Sequence, residues 1–164
     1  MNLLDLLADV VDTVPDVKAH LKPETLEALK NANTYGRQLW KYCLDLYRTG
    51  DGGAFLDQFI AAISNQLTRA WNDGSREVGV EPEEMTDIDL NELKAIIDSE
   101  YDHVIDLGEA IIASRGGTLA EFRQQFRNRV DLWVNRYEDA ANRAKVYFGN
   151  RQRLVWTLGA TEQH

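Results

Sequence analysis

The sequence predicts an all-α protein: a helical bundle with a long C-terminal antiparallel helical hairpin and a short strand-like tail. Three observations point there. Apolar residues recur at steps of three and four through most of the 164 residues, the spacing that gathers side chains on one face of a helix. Breaks at Pro15, Gly50 to Gly53, Gly79 to Met85 and Gly116-Gly117 divide those stretches. The last two stretches are long and joined by a few residues, which makes them antiparallel neighbours.

Taken in order, residues 2–11 predict a short amphipathic helix stopped near Pro15. A second helical region opens near Pro23, where Pro-Glu-Thr suits a first turn, and runs to Arg48 with a break expected around Thr34 to Gly36. Gly50-Asp51-Gly52-Gly53 predicts a loop. A third helix follows from Ala54 to Glu77 with Leu56, Phe59, Ile63, Leu67 and Trp71 on one side. Pro82 marks the next break. A fourth helix is expected from Ile88 to Ser114, its stripe formed by Leu90, Leu93, Ile97, Tyr101, Val104 and Ile111, ending at Arg115-Gly116, a cation and a glycine. Thr118-Leu-Ala-Glu121 is a capping box, in which each side chain satisfies the other residue's free amide. It opens a fifth helix to Phe148 through Phe122, Phe126, Val130, Trp133, Tyr137, Ala141 and Ala144. At about 1.5 Å per residue each hairpin arm spans roughly 40 Å. Beyond Gly149, Leu154, Trp156 and Leu158 alternate with Val155 and Thr157, a period of two that predicts a strand in need of a neighbour. The expected organisation is one domain: a helical segment over 1–50, a core over 54–150 containing the hairpin 88–148, and a strand-like tail over 151–164.

The length supports one core. No apolar run reaches the roughly 18 to 20 residues of a membrane span, and the acidic start lacks the basic flank of a signal peptide. Cys43 is the only cysteine, which excludes an internal disulfide and a cysteine-based zinc knuckle. A reducing cytoplasm is the simplest compartment. The net charge of −9 is unevenly placed: residues 1–114 hold 9 Lys and Arg against 22 Asp and Glu, net −13, and residues 115–164 hold 9 against 5, net +4. Such a chain attracts its own other half, an acidic partner or a nucleic acid.

None of the chemical candidates forms a convincing catalytic, cofactor or metal set. Asp87, Asp89, Asn91 and Asp98 have calcium-loop spacing, but Glu92 stands where that loop needs glycine. The glycines at 50, 52 and 53 lack the Lys-Ser/Thr of a phosphate cradle. Cys43 lies among Trp40, Tyr42, Leu44 and Leu46 and reads as a buried small side chain with no activating base. His103 reads as a half-exposed helical histidine, and Asp98, Asp102, Asp106 and Glu109 as a solvated face lacking the convergence that acid-base chemistry needs. Arg129, Arg136 and Arg143 recur every seven residues on one helical face, with Arg151 and Arg153 following. This stripe could meet the acids of the preceding helix and select the pairing. Direct nucleic-acid binding is the weaker reading, because Trp133 and Tyr137 fall on the core stripe and not on a stacking platform.

The series Leu67-Thr-Arg-Ala-Trp71-Asn-Asp-Gly74, Leu93 to Tyr101 on a long helix, Gly117-Thr-Leu119, Trp133-Val-Asn-Arg-Tyr137, Asn142 and Val155-Trp156-Thr-Leu-Gly159-Ala-Thr-Glu162-Gln-His164 resembles minor head proteins of tailed phages and prophages, of the Mu F-like head-morphogenesis kind. The likeness covers residues 55–164. It implies a non-enzymatic virion component, made in the host cytoplasm, that meets the portal or inner capsid during head assembly and affects DNA packaging or ejection. It also implies a continuation after Trp156 to His164 into cysteines spaced like metal ligands. These are missing, so no metal is expected and the chain reads as truncated, processed or divergent. The residues expected to meet a protein partner, or a second copy, are Arg129, Arg136, Arg143, Arg151 and Arg153 with the apolar Val155, Trp156 and Leu158; no membrane contact is expected. A helical adaptor of cellular origin would suit the same acidic body and open tail, and a hydrolase using the carboxylate face is the third class.

Overall fold

The computed structural model describes the backbone of residues 23–161 and the side chains of residues 31 and 34–151. The helix expected over 2–11 and the Pro15 stop lie outside the described residues. Four α-helices and one short 3-10 turn make up the described secondary structure, so the fold is all-α. Helix α1 (Pro23–Thr49) opens on a proline, whose missing N–H costs nothing in a first turn. It closes at Gly50, where φ is +72° and the amide donates to Leu46 O at 2.8 Å. The Asp51 carboxylate then accepts the Ala54 N–H at 3.0 Å and caps α2 (Gly52–Glu77). After the turn Pro82–Glu84, helix α3 (Asp87–Ala113) starts at a reciprocal box: Thr86 N–H donates to Asp89 Oδ2 at 2.8 Å and Asp89 N–H to Thr86 Oγ1 at 3.4 Å. Helix α4 (Leu119–Thr161) starts at the Thr118 and Glu121 box, both bonds at 3.2 Å.

The contacts divide into two compact units, one of residues up to 62 together with 102–135, the other of 63–101 together with residues from 136 onward. The first is built around Leu39, Cys43, Leu46, Phe59, Leu107 and Phe126, all essentially inaccessible to solvent. Side chains of this size contribute about 1.5 to 3 kcal/mol each on burial. Its α1 and α4 stretches run antiparallel: Gly36 lies against Val134, while Trp40 and Tyr47 pack on Phe122 with ring centroids 5.1 and 4.6 Å apart. Arg115 donates from Nε to Tyr47 O at 3.0 Å and from Nη2 to Arg48 O at 3.3 Å, covering free carbonyls at the end of α1 with a cation. Tyr47 in turn donates its hydroxyl to Gly117 O.

In the second unit Trp71 packs against Tyr147 and Phe148, both at 5.4 Å between centroids. A Cβ at Gly74 would sit 2.2 Å from Ala141 O, so glycine is what lets the backbones of α2 and α4 approach here. Partners advance together along these two helices, Asp73 with Tyr137, Gly74 with Ala141 and Glu77 with Lys145, so the stretches run parallel. Between α3 and α4 the order reverses, Glu100 with Arg136, Glu92 with Arg143 and Asp89 with Arg151, so these stretches run antiparallel.

Several sequence expectations are corrected. Residues 151–161 continue α4 as helix and do not form the strand-like tail. A strand there has no described neighbour to take its amides and carbonyls, whereas continuing the helix satisfies them within the segment. Gly149 costs only about 1 kcal/mol inside a helix and does not break it. The break expected at Thr34 to Gly36 is absent; Gly36 stays helical and faces Val134, with a Cβ there 3.3 Å from Cγ2. The loop expected at 50–53 shrinks to Gly50 and Asp51 because Asp51 caps α2. On α3 the buried stripe is Leu93, Ile96, Val104, Leu107 and Ile111, while Leu90 and Tyr101 are left exposed.

Candidate functional site

The sequence places Asp89 in the first turn of α3, where an acid favours the helix dipole, and the fold buries it to 1% exposure. A carboxylate in that position needs donors. It receives the Thr86 N–H, the Tyr147 hydroxyl at 3.0 Å and Arg151 Nη1 at 2.6 Å to each oxygen. Burial pushes the carboxyl up, but the bonds from Thr86, Arg151 and Tyr147 outweigh it and hold the group below the ordinary aspartate range. Burial and the Asp89 carboxylate raise the Tyr147 hydroxyl correspondingly. The signal for this node was Thr86-x-x-Asp89, a helix cap hidden by the calcium-like spacing of Asp87, Asp89, Asn91 and Asp98. No group of His, Cys, Asp or Glu among the described residues could hold a metal ion.

The arginine stripe behaves similarly. Arg136 pairs with Glu100, which is 5% exposed, and Arg143 approaches the exposed-edge Glu92 at 3.9 Å. Arg129 is half-buried, its guanidinium 6.0 Å from the Phe126 ring. Of the residues expected to meet a partner, therefore, Arg136 and Arg151 are counter-ions of buried carboxylates within this chain. Arg153, Val155, Trp156 and Leu158 lie on the helical backbone of α4, their side chains outside the described residues. The acids that meet the stripe are Asp89, Glu92 and Glu100; Asp98, Asp102, Asp106 and Glu109 are solvated.

The node also marks where α4 passes the ends of α2 and α3. Lys145 Nζ reaches Glu77, the last residue of α2, at 2.6 Å, and Arg151 reaches Asp89, the third residue of α3. With α2 parallel and α3 antiparallel to it here, α4 past Arg151 extends beyond both helix ends. Residues 152–161 carry the helix about 15 Å further.

The candidates for chemistry resolve differently. Cys43 is fully buried and its thiol is pushed up to about 12 by burial, against a small opposing pull from Arg129, so it is no thiolate nucleophile near neutral pH. His103 is exposed. Tyr137 donates its hydroxyl to Asp73 and is raised to about 12 by burial and that carboxylate. No described helix is long and apolar enough to cross a membrane. Comparison with family models, curated proteins and solved structures gives no match.

Proposed function

We propose that this protein is a non-enzymatic component of tailed-phage head assembly that recruits a portal or capsid partner through the C-terminal end of α4. The observation that carries the reading is the continuation of α4: Arg151 is clamped on Asp89, and the helix then runs for ten residues beyond the ends of α2 and α3. Those residues include Leu154, Val155, Trp156 and Leu158, and a helical segment rich in apolar residues suits a groove on a partner. The ordered likeness to minor head proteins supplies the class of partner. The hairpin over residues 88–148 is, in this reading, the stem that carries this segment, and assembly takes place in the host cytoplasm before the protein enters the virion.

The test is coexpression with the portal and major capsid proteins encoded in the same gene cluster, followed by co-purification of the parent and of a Val155 to His164 deletion. The parent is expected to travel with one of them and the deletion to lose it. A gene neighbourhood without portal, terminase and capsid genes, or a deletion that binds as the parent does, would overturn the proposal.

A further inference from the structure

Independently of that reading, one face of α3 is apolar yet left open. Ile112 is 42% exposed and Ile105 half-buried; positions 105 and 112 fall on one face of a helix. Directly beside it run Asp102, Asp106 and Glu109, all exposed and with no ion pair among the described residues. An apolar row edged by carboxylates fits a surface that is apolar at its centre and cationic around it.

The same protein carries such a surface. Trp40 of α1 is half-buried between α1 and α4, its ring tilted against Phe122 and the Arg127 guanidinium 5.7 Å from its centre. Arg123 lies one turn from Arg127 on α4; Arg37 and Lys41 lie one turn apart on α1, and all four cations are exposed. Arg37 and Arg123 form no ion pair among the described residues, and Lys41 makes only a loose one with Asp45 at 3.7 Å. Opposite charge on the two faces favours their encounter, and the apolar centres supply area that exposed ion pairs alone do not.

We infer that the acid-edged α3 face of one copy docks on the cationic Trp40 face of α1 and α4 in a second copy. Because two different faces meet, the contact is heterologous: each copy keeps one open face of each kind, and assembly proceeds past the dimer to rings or chains.

Sedimentation velocity of the full chain, treated with nuclease, tests this across rising concentration at low and high salt. The parent is expected to form species larger than a dimer that dissociate as salt screens the faces. Two variants, Asp106→Lys with Glu109→Lys and Arg37→Glu with Arg123→Glu, should each remain monomeric, with association weakened by more than about tenfold. Mixed in equal amounts they should associate again, since each retains the face that the other has lost. Circular dichroism confirms that both are folded. Should either fail to fold, Ile112→Ser and the milder Asp106→Asn with Glu109→Gln take its place and should weaken association too. A parent that stays monomeric throughout, association that vanishes on nuclease treatment, or folded variants that associate as the parent does would each overturn the inference.

Discussion

Asp89 shows how one residue couples charge to fold. Its carboxylate is buried, takes two bonds from one Arg151 nitrogen and caps α3 through Thr86, and its pKa is lowered. A group lowered on folding contributes stability that is present above its unfolded value, about 3.9, and lost as pH falls through and below it. Asp89→Asn should therefore destabilise the protein near neutral pH by about 1 to 3 kcal/mol, the usual cost of spoiling a charge-assisted hydrogen bond. The difference from the parent should shrink below about pH 4, where the carboxylate of the unfolded parent takes up its proton before that of the folded one. Urea titrations at pH 7 and pH 3 check this; an unchanged difference at the two values would remove Asp89 from the acid response. Tyr137 acts in the opposite sense. Its hydroxyl is raised to about 12, so its contribution is complete below about 10 and is lost as pH climbs through the raised value.

At the scale of the element, α4 is where sequence and structure agree most and differ most. Of the expected stripe, Phe122, Phe126, Val130, Trp133, Ala141, Ala144 and Phe148 are buried, because a period of 3.6 sustained over many turns leaves no other face for the core, while Tyr137 is only half-buried with its hydroxyl on Asp73. Trp133 is 5% exposed and meets Phe59 edge-on at 5.2 Å. Trp133→Ala should cost about 3 to 5 kcal/mol, read from chemical denaturation; a variant that unfolds like the parent would place the indole outside the core. A different periodic signal misled in the tail, where Leu154, Trp156 and Leu158 alternating with Val155 and Thr157 fit a strand as well as a helix, and only the need to satisfy backbone groups decides between them. On α3, Leu90 and Tyr101 satisfied helical spacing yet sit beside the buried stripe, since spacing defines a row but not which of two adjacent apolar rows is covered. Arg136 and Arg151 were legible as a basic stripe. Their roles as counter-ions were not, because burial of Glu100 and Asp89 depends on which helix faces which.

For the whole molecule, the node and the last ten helical residues make separable claims about stability and recruitment. Arg151 is the last described side chain of α4 and neutralises a carboxylate that has no contact with water. A chain ending at Gln152 keeps that pair and should match the parent in thermal and urea unfolding. A chain ending at Asn150 loses it and leaves Asp89 buried without its cation. Breaking a fully buried pair costs about 3 to 5 kcal/mol. Arg151 is half-exposed, and water can partly replace the guanidinium, so a loss of about 1 to 3 kcal/mol is expected. Both truncations remove Leu154, Val155, Trp156 and Leu158 and should lose the portal or capsid partner equally. Equal stability of the two truncations would show that Asp89 does not depend on Arg151. A fall in stability already at the Gln152 truncation would make residues 153 onward part of the protein's own core, leaving no free segment for a partner to grip.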